Sequence, residues 1–108
     1  MEGISHEAAS LAGHLGLERL ICVYDDNGIT IDGSTSLSCS DDVVARFGSY
    51  GWNVIQLGDI ANDMDALESV LIEAKEHRGQ PTMCVLKTHI AFPSPDHTDN
   101  FEAHGNPF

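Results

Sequence analysis

"LICVYDDNGITIDG", residues 20–33, decides the fold, because its apolar run and its Asn-Gly pair support different architectures. An Asn-Gly dipeptide between β-rich stretches is the strongest short-range signal for a two-residue hairpin turn, since both central positions of a type I′ turn need φ above zero. The apolar run points elsewhere. Residues 20–24 are continuously apolar rather than alternating, the pattern of a strand buried on both faces of a helix-covered parallel sheet, and the partner of such a strand cannot lie two residues away. The Asn-Gly pair then becomes a bend at the carboxyl end of a parallel strand, where open α/β sheets bind ligands.

The flanking sequence alternates helix and strand. Residues 2–16 place Ile4, Ala8, Leu11 and Leu15 on one helical face, and Gly16 suits the C′ position. Beside that face lie Ala8, Ala9, Ala12 and Gly13, small enough for close approach to another backbone, with tight packing on a sheet as the plain reading. Residues 40–51 read as a short helix capped by Ser40, with Val43, Val44 and Phe47 inward and Gly51 closing it. "WNVIQLG" (52–58) is a second strand, and residues 62–79 form the clearest helix. Its cap is Asn62 or Asp63, its apolar stripe is Met64, Leu67, Leu71 and Ala74, and its stop is Gly79 before Pro81. "TMCVLKTH" (82–89) is a third strand, and residues 90–108, with three of the four prolines and no regular period, read as an extended loop. The class is α/β, a parallel sheet with helices on both faces in a single domain, and a three-stranded sheet that opens on a helix reads as part of a larger doubly wound domain.

Composition narrows the function. The 108 residues carry 17 acids against five Lys plus Arg, a formal charge of -12. That balance argues against nucleic acid or an anionic membrane surface as partner, since both need clustered cations. It also sets a constraint: a phosphorylated ligand would have to be held by a divalent cation or by backbone N–H groups. There is no apolar run long enough to cross a bilayer and no signal-peptide pattern at the N-terminus, and Cys22, Cys39 and Cys84 form neither a CxxC pair nor an even set. The expected compartment is a reducing, cytoplasmic one, with the cysteines as small apolar residues.

Three places lie beyond strand carboxyl ends: the loop after Tyr24, the loop after Leu57 and the tail after His89. In "GDIAND", Asp59 and Asp63 read as a turn and a cap, the cap being favoured. A calcium loop fails in "DDNGITIDG": counted from Asp25, the sixth and twelfth positions are Thr30 and Ser36 where glycine and glutamate are needed. What remains is the Asn27 amide oxygen and outward backbone carbonyls, hard ligands for magnesium or calcium, although spacing alone favours a simple turn. His104, in "AHGNP", has no serine or cysteine placed to be its nucleophile, and a solvated histidine is its plain reading.

Taken together, "EGISHEAASLAGHLGL", "YDDNGITIDG", "DVVARFGSYGWNVI", "PTMCVLKTHIAF" and "HGNP" resemble, in order and spacing, the diphosphate-binding domain of transketolase over essentially the whole chain. The resemblance implies an enzyme that uses thiamine diphosphate and Mg2+ or Ca2+ to move a two-carbon ketol unit from a ketose phosphate to an aldose phosphate. It implies Asn27 as a side-chain metal ligand, Ile29 as a backbone-carbonyl ligand, Ile31 packing near the thiazolium ring and Gly3 passing close to the diphosphate. His104 matches the family's active-site histidine, within an extended active-site loop over 90–108, and Glu2 and Glu7 match acids at a homodimer interface. A Gly-Asp-Gly motif is expected upstream of Met1, which would make Met1 an interior residue of a longer enzyme and leave the 108 residues inactive alone. Ala91 and Pro93 stand where the family commonly has glycines. Dihydroxyacetone synthase is a close alternative, and a non-catalytic α/β binding module or degenerate paralogue is the rival from another class.

Overall fold

The computed structural model describes residues 3–107. Its sheet is parallel throughout, with β1 (Ile21–Asp26), β5 (Thr82–Lys87) and β4 (Asn53–Gly58) in the order β1-β5-β4. Ile21 and Asn53 both pair with Thr82, so the three strands start level. The Asn-Gly pair does not fold β1 back on itself. A separate two-stranded ribbon, β2 (Ile29–Thr30) against β3 (Gly33–Ser34), follows it, and the hairpin turn is Ile31-Asp32.

Topology places helices on both faces. The connection from β1 to β4 crosses β5 in one direction, whereas that from β4 to β5 returns in the other, and right-handed crossovers of opposite direction put their helices on opposite faces. Accordingly α2 (Val43–Ser49) lies on one side and α3 (Met64–Glu76) on the other. Alternation along the strands matches: Cys22, Tyr24, Val54, Met83 and Val85 pack on the cluster of Ala9, Ala12, Phe47 and Trp52, while the fully buried Thr82 and Cys84 point the opposite way.

Helix α1 (Ser5–His14) buries its small residues rather than its large ones. Ala9 and Ala12 are core, whereas Ile4, Leu11 and Leu15 are 79%, 56% and 59% exposed. Bulk on this face comes from Trp52, whose indole Nε1 donates to the Ala9 carbonyl at 2.8 Å. The helix ends as its glycine dictates: Gly16, at φ 60°, donates to the Gly13 carbonyl, and Leu17 donates to that of Ala12, a Schellman motif. Helix α2 closes in the same manner through Gly51 and Trp52 on the Gly48 and Phe47 carbonyls.

Two caps refine the sequence reading. Asp42, not Ser40, caps α2, with Oδ1 accepting from Ala45 N–H at 2.9 Å; it sits directly before the first helical residue, as N-cap geometry requires. Asp63 caps α3 by accepting from Ala66 N–H at 3.0 Å. Of the α3 stripe only Ala74 is fully buried, and Met64 and Leu71 are exposed. Replacing Asp63 by Ala is expected to cost about 1 kcal/mol, read as a lowered denaturation midpoint. Asp63→Asn, which keeps the acceptor, should recover most of it.

Candidate functional site

The carboxyl ends of β1, β5 and β4 gather the loops that carry polar chemistry. After β1, the Asn27 side chain curls back so that Oδ1 accepts from Ile29 N–H at 2.9 Å, an Asx turn made possible by Gly28 at φ 72°. The ribbon beyond fixes where the backbone carbonyls aim. Gly28 accepts from Thr35 N–H at 2.9 Å and faces into the ribbon. Hydrogen-bonded and non-hydrogen-bonded pairs alternate in an antiparallel ladder, so Ile29, paired with Ser34, turns its carbonyl away from β3. One turn therefore brings together the Asn27 amide oxygen, which retains a second lone pair, and an outward carbonyl.

The other singled-out residues occupy separate segments. Ile31 is 66% exposed at the tip of the ribbon. Among the described residues no atom lies within 4 Å of where a Cβ on Gly3, at φ 56°, would stand, so that side of its backbone is open. It leads into α1, whose N-cap Ile4 gives no side-chain hydrogen bond to the first turn, leaving N–H donors of the kind that bind anions. Glu7 is exposed on α1, and Glu2 lies outside the described residues. His104 is exposed at the C-cap of a 3-10 turn, Phe101–Ala103.

A cavity of about 600 Å³ opens between the end of β1, the ribbon and α2, lined in part by His6, Tyr24, Asp26, Asp41 and Arg46. Its one guanidinium is engaged: Arg46 pairs with Asp41 at 2.9 Å and lies 3.0 Å from His6 Nε2. Among the described residues no cluster of three or more His, Cys, Asp or Glu forms a metal site. The Cys22 and Cys84 thiols are pushed up by burial, which keeps them protonated and inert. Burial, then the nearby Asp26, likewise raises Tyr24.

One arrangement at this end was not anticipated from sequence. His89, just past β5, has Nδ1 2.8 Å from Asp99 Oδ2 and Nε2 3.0 Å from Asp59 Oδ2. The hydrogen bond it donates to Asp99, then that to Asp59, raises its pKa above the ordinary histidine value. In the sequence Asp59 reads as a turn residue or a cap, the cap being favoured. Its role follows from β4 lying beside β5, together with a bulge at Leu57 and Gly58 at φ 61° that redirect the chain.

Against this geometry, the family model described as transketolase, thiamine diphosphate binding domain, matches residues 1–108. The chain belongs to the transketolase family. It is 49% identical over 105 residues to a transketolase of Nostoc sp., covering 97% of this chain and 16% of that protein. It is 45% identical over 106 residues to the chloroplastic transketolase of Solanum tuberosum, covering 98% of this chain and 14% of that one. The crystal structure of a Pichia stipitis transketolase in complex with sedoheptulose-7-phosphate superposes with a TM-score of 0.91 at 44% identity, over 96% of this chain and 15% of that one. That of Campylobacter jejuni does so at 0.89 and 33%, over 95% and 16%. The chain thus spans 14% to 16% of these transketolases. Among the described residues no helix is long and apolar enough to cross a membrane.

The donor set suits thiamine diphosphate, the cofactor of the matched domain family. Two hard oxygens on one turn, open backbone at Gly3 and an uncapped helix start are the groups an acidic chain needs to hold a diphosphate and its cation. In the tail, Ala91 adopts φ 60°, the left-handed region that favours glycine.

Proposed function

We propose that these residues are the diphosphate-and-metal-binding part of a transketolase that transfers a two-carbon ketol unit between sugar phosphates. The observation that carries this reading is the Asx turn at Asn27, which presents a side-chain oxygen and the Ile29 carbonyl at the carboxyl end of β1. Asn27 and Ile29 are the metal ligands contributed by this segment, to Mg2+ or Ca2+. Gly3 and the start of α1 face the diphosphate, Ile31 lends an apolar contact beside the cofactor ring, and His104, carried by the active-site loop over 90–108, hydrogen-bonds the substrate's reacting oxygens and moves a proton there. When bound, thiamine diphosphate supplies the nucleophile. The cation answers the charge constraint, because a chain of formal charge -12 with its cavity arginine already paired has little else to set against a diphosphate.

The protein acts as a homodimer in the cytoplasm. The exposed ridge of Ile4, Leu11 and Leu15 beside Glu7 supports a subunit interface on α1, and three free cysteines support a reducing compartment. In the full-length protein, Asn27→Ala is expected to weaken thiamine diphosphate binding by about tenfold to a hundredfold, the range typical for disturbing a metal site. Titrations with and without Mg2+ separate the two roles of Asn27. A metal ligand predicts that the variant loses its response to Mg2+ while Asn27→Asp keeps it. Undiminished, Mg2+-dependent affinity in Asn27→Ala would overturn the assignment.

A further inference from the structure

The carboxylate–histidine–carboxylate arrangement at Asp59, His89 and Asp99 lies outside the proposed metal turn and joins three segments that otherwise have separate courses. Both ring nitrogens of His89 face carboxylate oxygens within hydrogen-bond distance. Ionised carboxylates only accept, so both nitrogens donate when both bonds are made, and a histidine donates twice only as the imidazolium. A neutral ring can hold one arm but not both.

What the two arms hold is the tail. Between Ile90 and Asp99 the chain closes on itself, Asp99 N–H donating to the Ile90 carbonyl at 3.0 Å and the Thr98 hydroxyl to that of Ser94 at 2.6 Å. The loop packs little apolar mass: Phe92 and Phe101 are both exposed. Its placement on the sheet therefore leans on polar contacts. Asp99 leads without interruption to Asn100, whose side chain caps the 3-10 turn by accepting from Glu102 N–H at 3.0 Å, and His104 stands at the far end of that turn. Fixing Asp99 fixes the base of the short stiff element that carries His104.

We propose that Asp59, His89 and Asp99 form a charged clamp that positions the tail, and with it His104, at the carboxyl end of the sheet, and that the clamp is complete only while His89 carries a proton on each ring nitrogen. His89 is a positioning residue. Only in what the positioned histidine does, the inference rests on the function proposed above. The charged groups that act on His89 are Asp99 from the tail and Asp59 from the loop after β4; on the β1 side, Asp25 is engaged by the Thr88 hydroxyl. Docking raises the histidine's pKa, so the clamp's contribution is full below the ordinary histidine range and is lost as pH rises through the raised value. Partial exposure of all three side chains adds a screening effect, weakening the clamp at high salt.

Hydrogen exchange of peptides covering 90–104 in the full-length protein tests the clamp, with the intrinsic pH dependence of exchange divided out. Between about pH 5 and about pH 9, either side of the free histidine range, protection of this segment is expected to fall by about threefold, the scale of a solvent-screened ion pair. His89→Gln should show the low value at both ends, and Asp99→Ala, which leaves the histidine in place but removes the partner of Nδ1, should flatten the profile in the same way if the first variant fails to fold. A wild-type profile that is level, or variants that keep its slope, would overturn the proposal. Steady-state kinetics on the same proteins separates the two readings: kcat should fall in the variants at the lower pH and converge with wild type at the higher. Altered protection with unaltered kcat would uphold the clamp and overturn the role given to His104.

Discussion

Gly13→Ala is expected to destabilise the protein by about 3 kcal/mol, the upper end for overpacking, although alanine is by itself the better helix former by about 1 kcal/mol. A Cβ at this position would stand 1.8 Å from the Tyr50 carbonyl oxygen, 2.9 Å from its carbon and 3.2 Å from Trp52 Cδ1. A methyl group has no rotamer with which to escape, and the nearest obstacle is backbone, so relief requires α1 to lift from the turn between α2 and β4. Gly48, inside α2, is the control. Among the described residues nothing lies within 4 Å of its would-be Cβ and its φ is ordinary, so Gly48→Ala should stabilise by up to about 1 kcal/mol. Denaturation midpoints of the two variants should therefore move in opposite directions. Movement in the same direction would show that α1 docks loosely.

That close approach was half legible in the sequence. The run Ala8, Ala9, Ala12, Gly13 announced a helix built for contact with backbone, but the side it would present was obscured by Ile4, Leu11 and Leu15, whose burial a periodicity argument favours. A core is filled by the summed volume of both partners. Trp52 and Phe47 supply the bulk here, which leaves room only for alanine and glycine opposite. The strands were plainer: residues 20–24 form a parallel strand, but not one buried on both faces, because β1 stands at the edge of the sheet and Val23 is 55% exposed. The capping residue of α2 was obscured by Ser40, Asp41 and Asp42 standing in a row, each able to cap; only the backbone bend before Val43 selects Asp42.

Within the site, Asn27 was legible as a turn residue and, through the family resemblance, as a ligand, since its neighbours carry the signal. The His89 clamp was not. Chain order would seat β4 next to β1, whereas the observed order β1-β5-β4 seats it next to β5, and only then do Asp59 and His89 meet. Asp99 arrives from a tail without periodicity, and a ten-residue gap between a histidine and an aspartate has no spacing rule behind it.

Trp52→Ala is expected to cost about 4 kcal/mol, within the range for emptying a large aromatic site. The indole is 5% exposed, meets Phe47 edge to face at 5.2 Å and 88°, and holds the Ala9 carbonyl through Nε1. Trp52→Phe separates these contributions. It keeps part of the ring and loses the donor, yet the Ala9 carbonyl lies inside α1 and retains its helical partner four residues on, so no acceptor is orphaned. The loss should then be about 1 kcal/mol for the hydrogen bond, plus a similar amount for the missing volume. Because Trp52 and Gly13 serve the same joint, combining Trp52→Ala with Gly13→Ala should cost less than the sum of the two by about 1 kcal/mol: once the indole is gone, α1 is free to lift from Tyr50 with little more to lose. Additivity to within about 0.5 kcal/mol would mean that the two contacts hold α1 independently.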